Sequence, residues 1–357
     1  IEAHLLGDIP RIDIDELQNY WKVFSSLKNK LFKTADRSDK YVSLMVGINK
    51  IKKTIHQHPD FVNYMKDMAN ILSNWQSNAE NKLISLEKGL SPKSVIHDLS
   101  EEILLDYSNK PLINKYDVYQ HLMNYWIEVM QDDCYIIAED GWNSNTHRVL
   151  VKATSGKNKG NKVDKGWDCD LIPKQLVINR YFAHEQELTN DLNIELESSG
   201  AKIIEMEEEH GGEDGFFAEL EKINKTTINR RLKEIKSDPD SEGEKDILNQ
   251  YLELLNQEAK TNKSIKNEIV KLDNNLINFY PSLTEQQIKE LVVKDKWLSV
   301  IEKDIHSEND RISQHLAQRI IELSKRYDNP LPHQNIESQK LEKLVSKHLE
   351  RMGFSWI

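Results

Sequence analysis

Apolar residues in the first 130 positions recur three and four places apart, the spacing of a helix that buries one face. Ser91-Pro92 supplies an N-cap residue followed by proline at the first helical position. Between Tyr116 and Met130 a second apolar stripe has an aromatic edge, and we interpret it as core packing. The pattern predicts short to medium helices through this part of the chain.

The pattern changes after residue 133. Short aliphatic runs alternate here with turn signals such as Asp140-Gly141, and a loop rich in glycine, lysine and asparagine spans Ala153–Gly166. We predict a small module containing two or three strands. Its candidate segments are Cys134–Ala138, His147–Lys152, Leu171–Pro173 and Leu176–Ile178.

The remainder of the chain returns to helical spacing. One helix is predicted from about Pro173 or Gln175 to Glu209, where Gly211-Gly212 ends it. A turn is expected at 237–243, and Thr284–Gln287 has the capping-box pattern that opens a helix. Further helices are predicted from about Ile228 and over 244–279, 295–327 and 336–352.

The helix over 244–279 carries a heptad seam. Its apolar residues lie four and three positions apart, the spacing with which one helix packs along another. We predict that this seam contacts a helix of a partner, through Ile265, Ile269, Leu272, Leu276 and Phe279.

Together these elements predict a mainly α fold. The expected architecture is a helical base with a small β-containing module and a long antiparallel helical or coiled-coil arm. We place the helical domain at 1–131, the β-containing module with its lysine-rich loop at 132–182, and the elongated helical hairpin or bundle at 183–357.

Charge separates the two halves of the chain. Residues 183–357 hold 35 acidic and 24 basic side chains, so they carry the whole net charge of −11. An acidic surface repels a phosphate backbone, and we expect this half to contact protein rather than DNA. Two cysteines are too few for a disulfide framework, and no apolar run reaches the length of a membrane span. We therefore expect a cytoplasmic protein, and the start at Ile1 indicates a fragment of a longer chain.

Motifs for catalysis are missing from the sequence. There is no glycine-rich turn after a strand to hold S-adenosylmethionine, and Asn329–Pro332 lacks the adjacent prolines and the aromatic residue of an adenine methyltransferase loop. His56 and His58 diverge on a helix, which favours a surface or capping role over metal binding. Cys134 and Cys169 lack a nucleophile signature, and we interpret both as buried small hydrophobes. We assign no catalytic, cofactor or metal residue to this chain.

One loop is a candidate for contact with DNA. Lysines that neutralise phosphates surround an aromatic ring that stacks on a base or sugar. The alternative is an ordinary solvated loop. The candidate residues are Lys152, Lys157, Lys159, Lys162, Lys165 and Trp167.

Six colinear segments resemble the downstream region of one group of modification (methyltransferase) subunits of type I restriction-modification systems. The resemblance covers nearly the whole chain. The segments are Gly7–Trp21, Tyr116–Tyr135, Lys165–Lys174, Glu207–Glu213, Leu291–Trp297 and His348–Phe354.

The resemblance implies a parent that is an S-adenosylmethionine-dependent adenine-N6 DNA methyltransferase. Its cofactor and catalytic motifs would lie upstream of Ile1, so none of them is carried over to a residue here. The implied partners are a specificity subunit, a second modification subunit, a restriction subunit and DNA, with no membrane. Two alternatives stay open: a stand-alone helical scaffold that binds proteins, and an independent enzyme that uses a reactive thiol in the Cys134–Trp167 module.

Overall fold

The computed structural model describes residues 8–35, 38–152, 154–155, 160–213, 215–218, 220, 222–328 and 331–352, with side chains of 331–333 excepted. The described chain is mainly α with a small β part, as predicted. It divides into two compact units. Unit 1 comprises Ile1–Gly141 and Val293–Ile357, and unit 2 comprises Trp142–Val292. This differs from the expected division into three parts, because the last helices join the unit that contains the first ones.

Unit 1 begins with a three-stranded antiparallel sheet that the sequence pattern did not predict. Strands β1 and β2 lie on either side of β3. Three short helices connect β1 to β2, and the sheet buries Ile9, Phe32, Tyr41 and Val42. The bounds are β1 Ile9–Pro10, α1 Arg11–Asp15, α2 Gln18–Val23, α3 Ser25–Leu31, β2 Phe32–Ala35 and β3 Ser38–Leu44.

Helices follow the sheet in unit 1. They are α4 Ile51–Gln57, α5 Pro59–Ile84, α6 Pro92–Asp106, α7 Lys115–Tyr125 and α8 Gln131–Asp140, with a π-helical turn at Trp126–Met130. Helix α6 starts directly after Ser91, as predicted. The predicted strand Cys134–Ala138 is wrong, because these residues lie within α8. There Cys134 and Ile137, three positions apart, are both buried on one helix face.

Unit 2 contains a two-stranded antiparallel ribbon and a set of helices. Strand His147–Lys152 was predicted, whereas the second strand falls largely in the segment assigned to a loop. The predicted strand Leu176–Ile178 is helical, since Val177 and Ile178 pack inward from a helix. The bounds are β4 His147–Lys152, β5 Lys162–Asp168, α9 Lys174–Tyr181, α10 Ala183–His210, α11 Lys225–Glu234, α12 Glu242–Phe279 and α13 Glu285–Lys289.

Helices α10 and α12 pack along each other. Gln257 donates a hydrogen bond to Glu195 at 2.9 Å, and Tyr251 donates one to Glu207, so the two helices run antiparallel. At the end of this pair a separate small core forms between α10, α11 and α12. Its fully buried members are Ile203, Phe217, Ile228, Ile235, Leu248 and Tyr251.

The last helices belong mostly to unit 1. Helix α13 opens with the predicted capping box, in which Gln287 N donates to Thr284 Oγ1 and Thr284 N donates to Gln287 Oε1. A π-helical stretch at Glu290–Leu298 leads into α14 Ser299–Tyr327, and α15 Leu331–Arg351 follows. Helix α14 buries an apolar stripe against α4, α5 and α7. Within the described residues, no helix has the length and apolarity needed to cross a bilayer.

Candidate nucleic-acid interface

The ribbon of β4 and β5 carries most of the lysines predicted to contact DNA. Lys152 lies directly opposite Lys162, and Val151 lies opposite Val163. Most ribbon residues are exposed, as expected of two strands that have no further strand beside them. A register shift between Arg148 and Leu150 ends the regular pairing toward the base of the ribbon. Lys157 and Lys159 lie outside the described residues.

The ribbon lysines lack acidic partners in the described part of the chain. Lys152, Lys162 and Lys165 are exposed, and Lys152 and Lys162 repel each other across the pair of strands. Arg148 differs, since it forms an ion pair with Asp164 and its hydrogen bond holds the pKa of that carboxyl below the usual value. Lys152 and Lys162 therefore form a positive surface that no described acidic side chain neutralises.

Trp167 does not lie on this positive surface, and the prediction that it stacks on a base is wrong. The side chain is only 4% exposed. Its Nε1 donates a hydrogen bond to Asp273 at 3.0 Å, and Lys174 Nζ lies 3.8 Å from the ring centre. The ring also contacts Tyr280 edge to face at 5.0 Å. Trp167 fixes the base of the ribbon to α12.

The heptad seam of α12 is largely used within the chain. Ile265, Leu272 and Leu276 are buried, and Phe279 packs against Tyr181 and Phe182. These residues are not free for a partner's helix, because α12 already packs on the preceding helices of unit 2. Ile269 is the exception in the seam, with 51% of its surface exposed.

Helix α15 presents an exposed apolar stripe that motif analysis did not single out. Ile336, Leu341, Leu344 and Val345 are each more than half exposed, at 51%, 62%, 55% and 55%. Every described side chain of this helix is exposed or half-buried. Exposed apolar side chains at helical spacing are typical of a helix that binds in a groove.

Both cysteines, Cys134 and Cys169, are buried and one of the paired histidines caps a helix, as predicted. Burial raises the pKa of the Cys134 thiol to about 12 and raises that of Cys169 as well, which disfavours the thiolate that nucleophilic catalysis needs. His58 accepts a hydrogen bond from Asp60 N at 3.2 Å and caps α5, as predicted. No group of three or more metal-ligating side chains is found in the described parts of the chain.

No family model, curated protein or solved structure matches the chain.

Proposed function

We propose that this chain is the C-terminal, non-catalytic region of a type I modification subunit, which joins the specificity subunit and helps to hold DNA. The resemblance of the six colinear segments named above supports the family. The exposed stripe of α15 carries the assembly function, and the ribbon carries the contact with DNA. S-adenosylmethionine would bind to the upstream part of the parent subunit, and the restriction subunit would join the same assembly.

The single observation that supports assembly most strongly is the exposed apolar stripe of the amphipathic helix α15. Most of the stability of a protein helix comes from packing of its amphipathic face, so burial of the apolar face of this 21-residue helix against a partner would stabilise it. At about 25 cal/mol per Å², burying four large aliphatic side chains contributes several kcal/mol to binding. A groove between helices of the specificity subunit has the chemistry that accepts such a stripe.

The ribbon supports the contact with DNA. The major groove of a duplex accepts a two-stranded β-ribbon, and lysines without acidic partners bind its phosphates. Lys152, Lys162 and Lys165 are the described lysines of this kind on the ribbon. The hydrogen bond from Trp167 to Asp273 holds the base of the ribbon to α12. We propose that the ribbon binds backbone phosphates beside a groove.

The assembly function is tested by co-purification of the chain with the specificity subunit encoded beside it. The variant Leu341→Asp with Val345→Asp places two charges in the stripe of α15, and we expect it to lose at least tenfold in affinity, about 1.4 kcal/mol. Gln339→Asp with Ser346→Asp adds the same charge to the opposite side of the helix, and this control should bind like the original chain. Equal binding by both variants, or no binding by the original chain, would remove the proposed function and favour the stand-alone scaffold.

A further inference from the structure

Helix α11 is basic although it lies in the acidic half of the chain. Residues 222–236 contain six lysine and arginine side chains and a single acidic residue, Glu234. Acidic residues lie on both sides of this segment: Glu219 and Glu221 precede it, Asp238 and Asp240 follow it, and Glu242 and Glu244 open α12. Residues 183–357 are negatively charged as a whole, but the segment 222–236 within them is positively charged.

The fold fixes which face of α11 is turned outward. Ile228 and Ile235 are buried in the small core with α10 and α12, and Leu232 packs against the same core. A capping box of Asn224 and Thr227 sets the start of the helix. Arg231, on the inner side, forms an ion pair with Glu244 at 2.6 Å, which fastens α11 to α12.

The exposed lysines lie on α11 and just beyond its two ends. Lys222, Lys225, Lys233 and Lys236 are exposed, and none has an acidic partner among the described residues. Arg230 faces Glu234 only loosely, at 3.9 Å. Asp238, the nearest acidic residue after the helix, accepts hydrogen bonds from Asp240 N and Ser241 Oγ within its own turn. We call these four lysines the α11 stripe.

We propose that the α11 stripe binds the phosphate backbone of duplex DNA. This inference rests on the proposed function, in which the same unit contacts DNA through its ribbon. Between the charges the exposed residues are Thr226 and Asn229, so the stripe has no aromatic ring on which an unpaired base could stack. It also lacks the apolar side that a membrane-surface helix buries. Charge without stacking or insertion is the chemistry of backbone binding to a duplex.

The separation of the stripe from the ribbon sets the length of DNA to be used. Asp273 holds the base of the ribbon and Glu244 holds α11, and both lie on α12. A separation of 29 residues along a helix corresponds to roughly 43 Å. A duplex of about 24 base pairs is roughly 80 Å long and so exceeds this distance.

The test measures binding of the full chain to a labelled duplex of that length by fluorescence anisotropy, at roughly 50 to 200 mM salt. The variant Lys225→Glu with Lys233→Glu should bind about tenfold more weakly, and the slope of affinity against salt should fall by about 2. The control Lys263→Glu with Lys266→Glu makes the same charge change at exposed positions of α12 and should stay within about twofold of the original chain. Lys225→Gln with Lys233→Gln, together with circular dichroism, separates lost contacts from lost folding.

If the stripe variant and the control lose the same amount of duplex affinity, the inference about the α11 stripe is overturned. The proposed function would still stand, because it is tested separately by the ribbon variants and by co-purification. Equal affinity for a single strand of the same length would also overturn it. Polyglutamate of matched charge is used as a competitor. If the peptide binds more tightly than the duplex and displaces it, the stripe would be assigned to an acidic protein instead. Failure of the original chain to bind duplex at the lowest salt would contradict both this inference and the ribbon contact, while co-purification would still report separately on assembly.

Discussion

Asp133 is a single carboxylate that ties α8 to the π-helical stretch before α14. It is 4% exposed, and its Oδ1 and Oδ2 accept hydrogen bonds from Lys296 Nζ at 2.8 Å and Trp297 Nε1 at 2.7 Å. Burial raises the pKa of the Asp133 carboxyl, and the ammonium of Lys296 opposes that rise. Tyr125 joins the same group by donating to the Lys296 carbonyl oxygen at 2.6 Å.

Replacing Asp133 with alanine should be strongly destabilising, because it removes the buried carboxylate that accepts hydrogen bonds from both Lys296 and Trp297. We expect a loss of about 3 to 5 kcal/mol in the free energy of unfolding, measured by urea denaturation. Asp132→Ala, at the exposed neighbouring position, is the control and should change the free energy by no more than about 0.5 kcal/mol. Similar stabilities for the two variants would show that the ion pair is not structural.

At the scale of elements, local signals predicted helix starts well. The capping box at Thr284 and the proline after Ser91 act through neighbouring residues, and both mark helix starts in the structure. The strand predicted over Cys134–Ala138 was wrong, since the segment lies in α8, whose residue Asp133 bonds to Lys296 and Trp297, more than 150 positions away. Trp167 was misplaced for the same reason, since its partner Asp273 is distant in sequence.

A charge change in the ribbon should alter stability and DNA binding in opposite directions. Lys162→Glu replaces the repulsion between Lys152 and Lys162 with attraction across the strands. We expect the ribbon to gain about 0.2 to 1 kcal/mol, seen as a higher Tm. The same variant should weaken duplex binding and lower the salt dependence, because it removes a phosphate contact.

Lys165→Glu is the matched control for that gain, since it makes the same charge change next to the register shift rather than opposite Lys152. It should weaken DNA binding without raising Tm. A ribbon that gains stability while DNA affinity stays unchanged would return Lys162 to the interpretation of an ordinary solvated side chain.

At the scale of the whole molecule, the order of segments could not be predicted from sequence pattern. Unit 1 is completed only when the chain returns at Val293, after the whole of unit 2. Long-range pairs close it, such as Tyr20 with His315 at 2.9 Å and Tyr327 with Asp13 at 2.8 Å. Periodicity identifies helices one at a time and does not show which distant helix covers an apolar face. The helix over 336–352 was predicted, but the same limit left unidentified the apolar stripe of α15 that stays exposed instead of joining the core.

Net charge over half of the chain does not describe each surface within it. The acidic balance of residues 183–357 favours contact with protein, and this stays a prediction, while the segment around α11 within them exposes lysines. Counting charge over a half of the chain averages a basic helix with acidic neighbours, whereas binding depends on which side chains share an exposed face.

We propose that α15 is the element by which this chain joins the specificity subunit. Amide hydrogen exchange of the full chain, followed with and without that subunit, reports on this helix directly. We expect rapid exchange over residues 336–349 in the chain alone and slowing of at least tenfold in the complex, with the Gln339→Asp and Ser346→Asp control protected to the same degree. Exchange over these residues that stays unchanged when the subunit is added would contradict the claim.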